Sequence, residues 1–314
     1  MKALDDIIKP IEEPLARLEL LLADSLDAST VPMKEIMDFL LDAKGKRLRP
    51  ILVFLTAQLF GEINEQTYRV ATFVEMIHTA TLLHDDVVDK ATVRRGKPSV
   101  NAQWDNASAV LAGDYLLAKA LLLLSNPDDS AILNEMLQTS LAMSQGELTH
   151  HHNSAFLTPN SSLLPPNSSL LTPPSQLLTP PSSLLTPNSS LLTPNYLSLI
   201  TQKTALLLRS CCVAAAMSVN ASEEQIRLVG DFGLNLGLVF QMRDDILDAE
   251  EDDSQYTPLA QDLLPVYLQK TLDSLNALSE SLSHLSPFTF NLSPLTFNLS
   301  PLTSLVNFCA SRTL

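Results

Sequence analysis

The chain has 314 residues, enough for one large core, and a net charge of −15 that excludes general nucleic-acid binding, which needs phosphate-neutralising basic surface. Its cysteines, Cys211, Cys212 and Cys309, form neither a disulfide framework nor a paired zinc motif, so a reducing, cytoplasmic setting is expected. The opening stretch, MKALDDIIKPIEEP, is acidic and interrupted by proline, unlike a secretory signal.

Apolar residues recur at intervals of three and four over 7–26, 51–60 and 68–88, then over 109–124, 132–148, 197–217 and 226–247. Alternating strand patterns are absent. The expected architecture is therefore all-α, a large helical bundle forming a single domain over 1–314. The most apolar stretch, VLAGDYLLAKALLLL at 110–124, carries Asp114 and Lys119. It is short and charged for a bilayer span and reads as a buried helix, although peripheral contact with a membrane is compatible with it.

Two regions break the helical pattern. Residues 161–195 are five seven-residue units: SSLLPPN, SSLLTPP, SQLLTPP, SSLLTPN and SSLLTPN. A period of seven normally suggests a coiled coil, but a proline in every unit prevents a continuous helix. Residues 156–195 are thus expected to be a low-complexity insert, disordered or weakly extended. Residues 286–303, with units SPFTFNL and SPLTFNL, repeat at the same period.

The strongest chemical signal is HDDVVD at 84–89. On a helix, Asp85 and Asp89 lie four apart and Asp86 and Asp89 three apart, so all three carboxylates are expected on one side. They repel one another unless a hard divalent cation such as Mg²⁺ joins them, keeping waters and adding substrate phosphates. The plainer reading is an acidic helix end in solvent; the apolar Leu82, Leu83, Val87 and Val88 around the acids argue against it. QMRDDILD at 241–248 repeats the spacing with Asp244, Asp245 and Asp248. Two such helix ends facing each other would hold a diphosphate through bridging metals. Basic residues are few and cluster twice, in KGKRLR at 44–49 and RRGK at 94–97. Lys46, Arg49, Arg94 and Arg95 there could neutralise two diphosphates, arginine giving rigid multi-donor contacts. His78, two turns before Asp85 on the same face, could touch a second phosphate. The run His150, His151, His152 abuts the insert and is not expected to be a metal site.

These residues resemble the trans-type polyprenyl diphosphate synthases of the long-chain bacterial kind. GKRLRP, EMIHTATLLHDDVVD, RRGKPS, AGDYLL, the Gly146–Glu147 pair, YLSLITQKTA and GLVFQMRDDILD carry the resemblance, over about 4–147 and 196–263. It implies the isoprenoid synthase fold, a helical bundle around a central cavity, and a homodimer. The implied activity joins isopentenyl diphosphate head to tail to an allylic prenyl diphosphate, with Mg²⁺. By resemblance Lys46, Arg49, His78 and Arg95 hold isopentenyl diphosphate. Arg94, Lys203 and Gln241 serve the allylic diphosphate, and Asp85, Asp86, Asp89, Asp244, Asp245 and Asp248 hold the metals. Ala80 and Thr81, small residues just before Asp85, would leave the floor open to a growing chain, giving a C30–C50 product.

The sequence also departs from the family pattern. At 256–266 it reads YTPLAQDLLPV, with Thr257 where a lysine is usual and with the glycine-lysine segment after Asp262 and Leu263 missing. His150 stands where glutamine is usual, and the last helices look replaced by proline-containing repeats. These departures define the alternative reading, an impaired homologue acting as a non-catalytic partner subunit or a decayed gene product. A terpene cyclase is disfavoured, because GKRLRP and RRGKP provide for a second, non-allylic diphosphate.

Overall fold

Helix forms wherever the apolar residues recur every three to four positions. The computed structural model describes residues 2–43, 45–153, 189–248, 256–283 and 298–312. α1 (Lys2–Ile8) passes through a short 3-10 turn at Pro10 into α2 (Glu12–Ser25), followed by α3 (Val31–Asp42) and α4 (Leu48–Phe60). α5 (Glu65–Val88) has 24 residues and is about 36 Å long. It starts at a capping box, in which Asn64 accepts from the Thr67 amide and Thr67 from the Asn64 amide.

A two-stranded antiparallel hairpin, β1 (Val93–Arg94) and β2 (Lys97–Pro98), follows the first acidic motif. Its turn needs positive φ at Arg95 (53°) and at Gly96 (74°), where glycine carries no steric penalty. After it come α6 (Val100–Gln103), α7 (Asn106–Leu123) and α8 (Ser130–Asn153). The second half holds α9 (Ser189–Ile200), a π-helical turn (Thr201–Ala205), α10 (Leu206–Ser218), α11 (Glu223–Asp248), α12 (Thr257–Ser283) and α13 (Ser300–Ser311).

α10 is the axis. It is buried on every side from Leu206 to Ala216 and packs against α4, α5, α8 and α11. A helix apolar all round belongs at the centre of a large bundle. A second apolar cluster, including Tyr196, Leu197, Leu238, Met242 and Tyr267, lies between α9, α11 and α12. It supports the helix end that bears the second acidic motif.

Several expectations change. α7 is buried only along Ala109, Ala112, Gly113, Leu116 and Ala120, while Leu111 and Leu122 face outward at 60% and 67% exposure. Of the expected insert at 156–195, residues 189–195 form the start of α9; 156–188 lie outside the described residues. One proline removes a single backbone donor, and the buried Tyr196, Leu197 and Ile200 immediately downstream hold the helix in place. Similarly, Ser300 and Pro301 of the C-terminal repeat open α13, because proline is tolerated in a first turn. Residues 286–297 lie outside the described residues. The last helices are therefore present: α13 packs on α1, α11 and α12, burying Leu302, Leu305, Val306 and Cys309. The side chains of His150, His151 and His152 lie outside the described residues.

Candidate active site

Two acidic helix ends and a cluster of arginines meet at one end of the bundle. The first wall is the C-terminus of α5. Asp85 is half-buried and its carboxyl is pushed up to about 6, chiefly by burial, then by the nearby Glu147 and Asp89 carboxylates, against the pull of Lys203 and Arg94. Asp89 ends the helix and is exposed. Asp86 departs from the expectation of a shared face. It is 3% exposed and turned to the hairpin, accepting two bonds from the Arg94 guanidinium, that from Nε at 2.9 Å. One residue is a 100° step on a helix, so Asp85 and Asp86 cannot both look into the same cleft.

The second wall is the π-helical turn. π turns widen a helix locally and often mark functional sites. This one exposes Lys203 toward Asp85. Two glycines allow the turn to sit so closely. A Cβ on Gly146 of α8 would lie 2.4 Å from Gln202 Cβ, and one on Gly237 of α11 would lie 2.5 Å from Ala205 Cα. Glu147 follows directly and delivers its charge to Asp85. The sequence contained the Gly146–Glu147 pair, but nothing in it tied Glu147 to Asp85.

The third wall is the end of α11. Burial pushes the Asp244 carboxyl upward, and the Arg312 guanidinium, ion-paired with it, pulls it back. Arg312 stacks over Phe240 at 3.9 Å and donates to the Phe240 carbonyl at 2.9 Å, while its own carbonyl accepts from Arg243 Nε at 2.9 Å. No motif announced Arg312; only the docking of α13 brings it here. Asp245 accepts from the Tyr196 hydroxyl at 2.6 Å and from the Gln241 amide at 2.8 Å. Gln241 in turn accepts from Thr204 Oγ1 at 2.5 Å. Asp248 lies exposed at the last position of α11.

Beneath these walls Arg49, Arg94, Arg95 and His78 stand close enough to feel one another's charge. His78 is held well below its usual pKa by burial and then by Arg49, Arg95 and Arg94, so it is neutral near pH 7. Arg49 is lowered by burial, with Arg95 adding to the effect, and its enclosed Nε has no partner among the described residues. An arginine donor enclosed and unpaired beside other cations fits a site built for an anion. Arg95 donates to the Ala43 carbonyl at 3.1 Å. Lys46 is exposed and lies 5.9 Å from the Phe308 ring of α13, on the C-terminal side of the cluster. Arg47, from the same loop, is committed to the fold: it pairs with Glu19 and Glu75, both at 2.7 Å. Ala80 is buried on α5, and Thr81 bonds back to the His78 carbonyl at 2.9 Å.

Among the described residues no three His, Cys, Asp or Glu side chains converge as a ready-made ion cage. The donor set still fits a hard cation that keeps water and takes phosphate oxygens. Asp85 is held against the repulsion of Glu147 and Asp89, which a divalent cation would relieve.

A deep helical bundle of this order defines the isoprenoid synthase fold. A polyprenyl synthase from Caulobacter crescentus, solved with calcium and isoprenyl diphosphate, superimposes with a TM-score of 0.69 at 25% identity, over 99% of this chain and 98% of that one. The polyprenyl synthetase family model matches residues 31–264, and the chain belongs to that family. Heptaprenyl diphosphate synthase component 2 of Geobacillus stearothermophilus is 31% identical over 280 residues, 88% of this chain and 74% of that protein. An all-trans-nonaprenyl-diphosphate synthase (geranyl-diphosphate specific) of Rhodobacter capsulatus is 36% identical over 144 residues, 46% of this chain but 44% of that protein, so this chain spans less than half of that relative.

Proposed function

We propose that this chain condenses isopentenyl diphosphate head to tail with an allylic prenyl diphosphate, giving a polyprenyl diphosphate of about C30–C50. The observation that carries the reading is that both acidic motifs border one cluster of cations: Asp85, with Asp89, Glu147 and Lys203 about it, lies within reach of Arg94, and Asp244 within reach of Arg49, while Arg49, Arg94 and Arg95 gather about His78. Relatives named as heptaprenyl and nonaprenyl synthases support the product class.

In this reading Asp85, Asp89, Asp244 and Asp248 would hold Mg²⁺. The metal, when bound, draws negative charge off the departing diphosphate. Lys203 faces the same diphosphate as a positional cation. Arg94 serves there too, while its bonds to Asp86 fix the hairpin, and Gln241 orders the wall through Asp245 and Thr204. Arg49, Arg95, His78 and Lys46 take the second diphosphate. The neutral His78 meets it as a hydrogen-bond donor. The allylic C–O bond breaks, a C–C bond forms to isopentenyl diphosphate, and the proton lost from that unit can leave on the released diphosphate. No protein base is required. The chain then grows past Ala80 and Thr81.

Thr257 stands where the family pattern implied a lysine, and its buried hydroxyl has no partner among the described residues. Arg312 pairs with Asp244 at the second acidic motif; a metal taken there would displace it, and the two retained acidic motifs favour the catalytic reading over an impaired homologue. The outward stripe of α7, with Val110, Leu111 and Leu122, suits self-association as a homodimer. The Geobacillus relative is called a component, which keeps a second subunit type in view.

The test is incubation of purified protein with Mg²⁺, labelled isopentenyl diphosphate and farnesyl diphosphate, then sizing of the product. Products longer than C20 that vanish with EDTA are expected. No elongation, with or without a co-expressed partner, would leave the non-catalytic reading.

A further inference from the structure

Tyr196 lies seven residues before Lys203 and touches no cleft. It is 1% exposed and sits in the apolar cluster between α9, α11 and α12. Its ring stacks on Tyr256, with centroids 5.2 Å apart and planes at 20°. Its hydroxyl has one partner to serve, Asp245 Oδ2 at 2.6 Å. Burial, then the adjacent Asp245 charge, raises its pKa well above the ordinary tyrosine value, so it stays a donor.

The bond belongs to a chain of three. Asp245 Oδ1 accepts from Gln241 Nε2 at 2.8 Å, and Gln241 Oε1 accepts from Thr204 Oγ1 at 2.5 Å. Tyr196 and Thr204 flank Lys203, one before it and one after it. Gln241 and Asp245 are one turn apart on α11, and Asp244 lies between them. The segment that carries Lys203 is thus tied to the end of α11 at two points, by Tyr196 from α9 and by Thr204 from the π-helical turn. Both Asp245 oxygens accept protein hydrogen bonds, whereas the Asp244 carboxylate is paired with Arg312.

We propose that Tyr196 is a positioning residue for the metal and diphosphate site: its hydroxyl, with the Gln241 amide, fixes Asp245 behind the metals and so sets the register between Lys203 and Asp244. Asp245 acts through hydrogen bonds and not as a metal ligand. This rests on the proposed function, since it assigns a task within that site. Outer-shell partners of this kind typically change metal affinity or activity about 10–100-fold when removed.

The experiment follows Mn²⁺ uptake by electron paramagnetic resonance, with inorganic diphosphate present, in the full chain and in Tyr196→Phe, Asp245→Asn and the double variant. Tyr196→Phe keeps the ring and its stacking, so its melting temperature, measured alongside, should stay near that of the parent. The Mn²⁺ concentration at half saturation should rise at least about tenfold in Tyr196→Phe. The double variant should bind no worse than Asp245→Asn alone, because the tyrosine works only through that carboxylate. A Tyr196→Phe titration within twofold of the parent would overturn the proposal. So would additive losses in the double variant, which would mean a separate, packing effect. Failure of the parent itself to take up Mn²⁺ with diphosphate would sink the proposed function, and this inference with it; uptake by the parent with an unchanged variant would sink this inference alone.

Discussion

Arg312→Gln separates two opposite contributions of one ion pair. Arg312 is 12% exposed and Asp244 32% exposed at their side chains. A pair of unit charges about 4 Å apart is worth roughly 4 kcal/mol at an effective dielectric of 20, and solvent screening at this exposure reduces that to about 1–2 kcal/mol. The same side chain stacks on Phe240 and bonds to its carbonyl, tying the end of α13 to α11. In EDTA, the glutamine variant should therefore lose stability, with a melting temperature lower by about 1–3 °C for a chain of this size. Metal binding should move the other way. A cation that reaches Asp244 in the parent must displace the guanidinium; in the variant that competitor is gone. Mn²⁺ titrated without diphosphate should bind about 5–30-fold more tightly, the equivalent of the same 1–2 kcal/mol. Differential scanning fluorimetry gives the first quantity and paramagnetic titration the second. Unchanged values in both would mean that Arg312 does not pair with Asp244 in solution. Weaker Mn²⁺ binding in the variant would mean that Arg312 assists the metal instead of competing with it, and the reasoning would fail.

Three further changes probe the other walls. The Asp85 carboxyl titrates near 6 in the fold against 3.8 ordinarily, so its contribution to metal-free stability is present below 3.8 and lost as pH rises through about 6. Asp85→Asn should accordingly raise the melting temperature in EDTA at pH 7.5, flatten its dependence between these pH values, and cut turnover at least about a hundredfold; a melting curve as pH-dependent as the parent's would contradict this. Gly146→Ala places a Cβ 2.4 Å from Gln202 Cβ, a clash no side-chain end can relieve. It should cost about 1–3 kcal/mol in denaturant melts and displace Lys203 enough to raise KM for the allylic substrate; a parent-like KM would mean the turn is not held by this contact. Ala80→Phe should shorten the product sharply while the first condensation survives, as read by chromatography of labelled products, and an unchanged long product would put the tail elsewhere.

Sequence alone determined the helices of the main body, because burial of one face imposes a period of three to four that survives in any context. It also brought out the acidic motifs and the two basic clusters, since like charges placed at helical spacing beside apolar residues have few other uses. What it left open depended on distances between segments far apart in the chain. The spacing of Asp85, Asp86 and Asp89 suggested one shared face. The folded hairpin supplies Arg94 to Asp86 and takes that carboxylate out of the cleft. Glu147 and Lys203 both reach Asp85 from segments far away in the chain, and Gly146 and Gly237 let the π-helical turn that carries Lys203 settle against α8 and α11. The proline-bearing C-terminal repeat suggested that the last helices were lost. In the fold Pro301 occupies a first helical turn, the apolar Leu302, Leu305 and Val306 find a partner surface, and α13 closes with Arg312 on Asp244. Local pattern fixes which face of a segment is apolar. Which surface it meets, and which charge arrives with it, is decided only when the whole bundle packs.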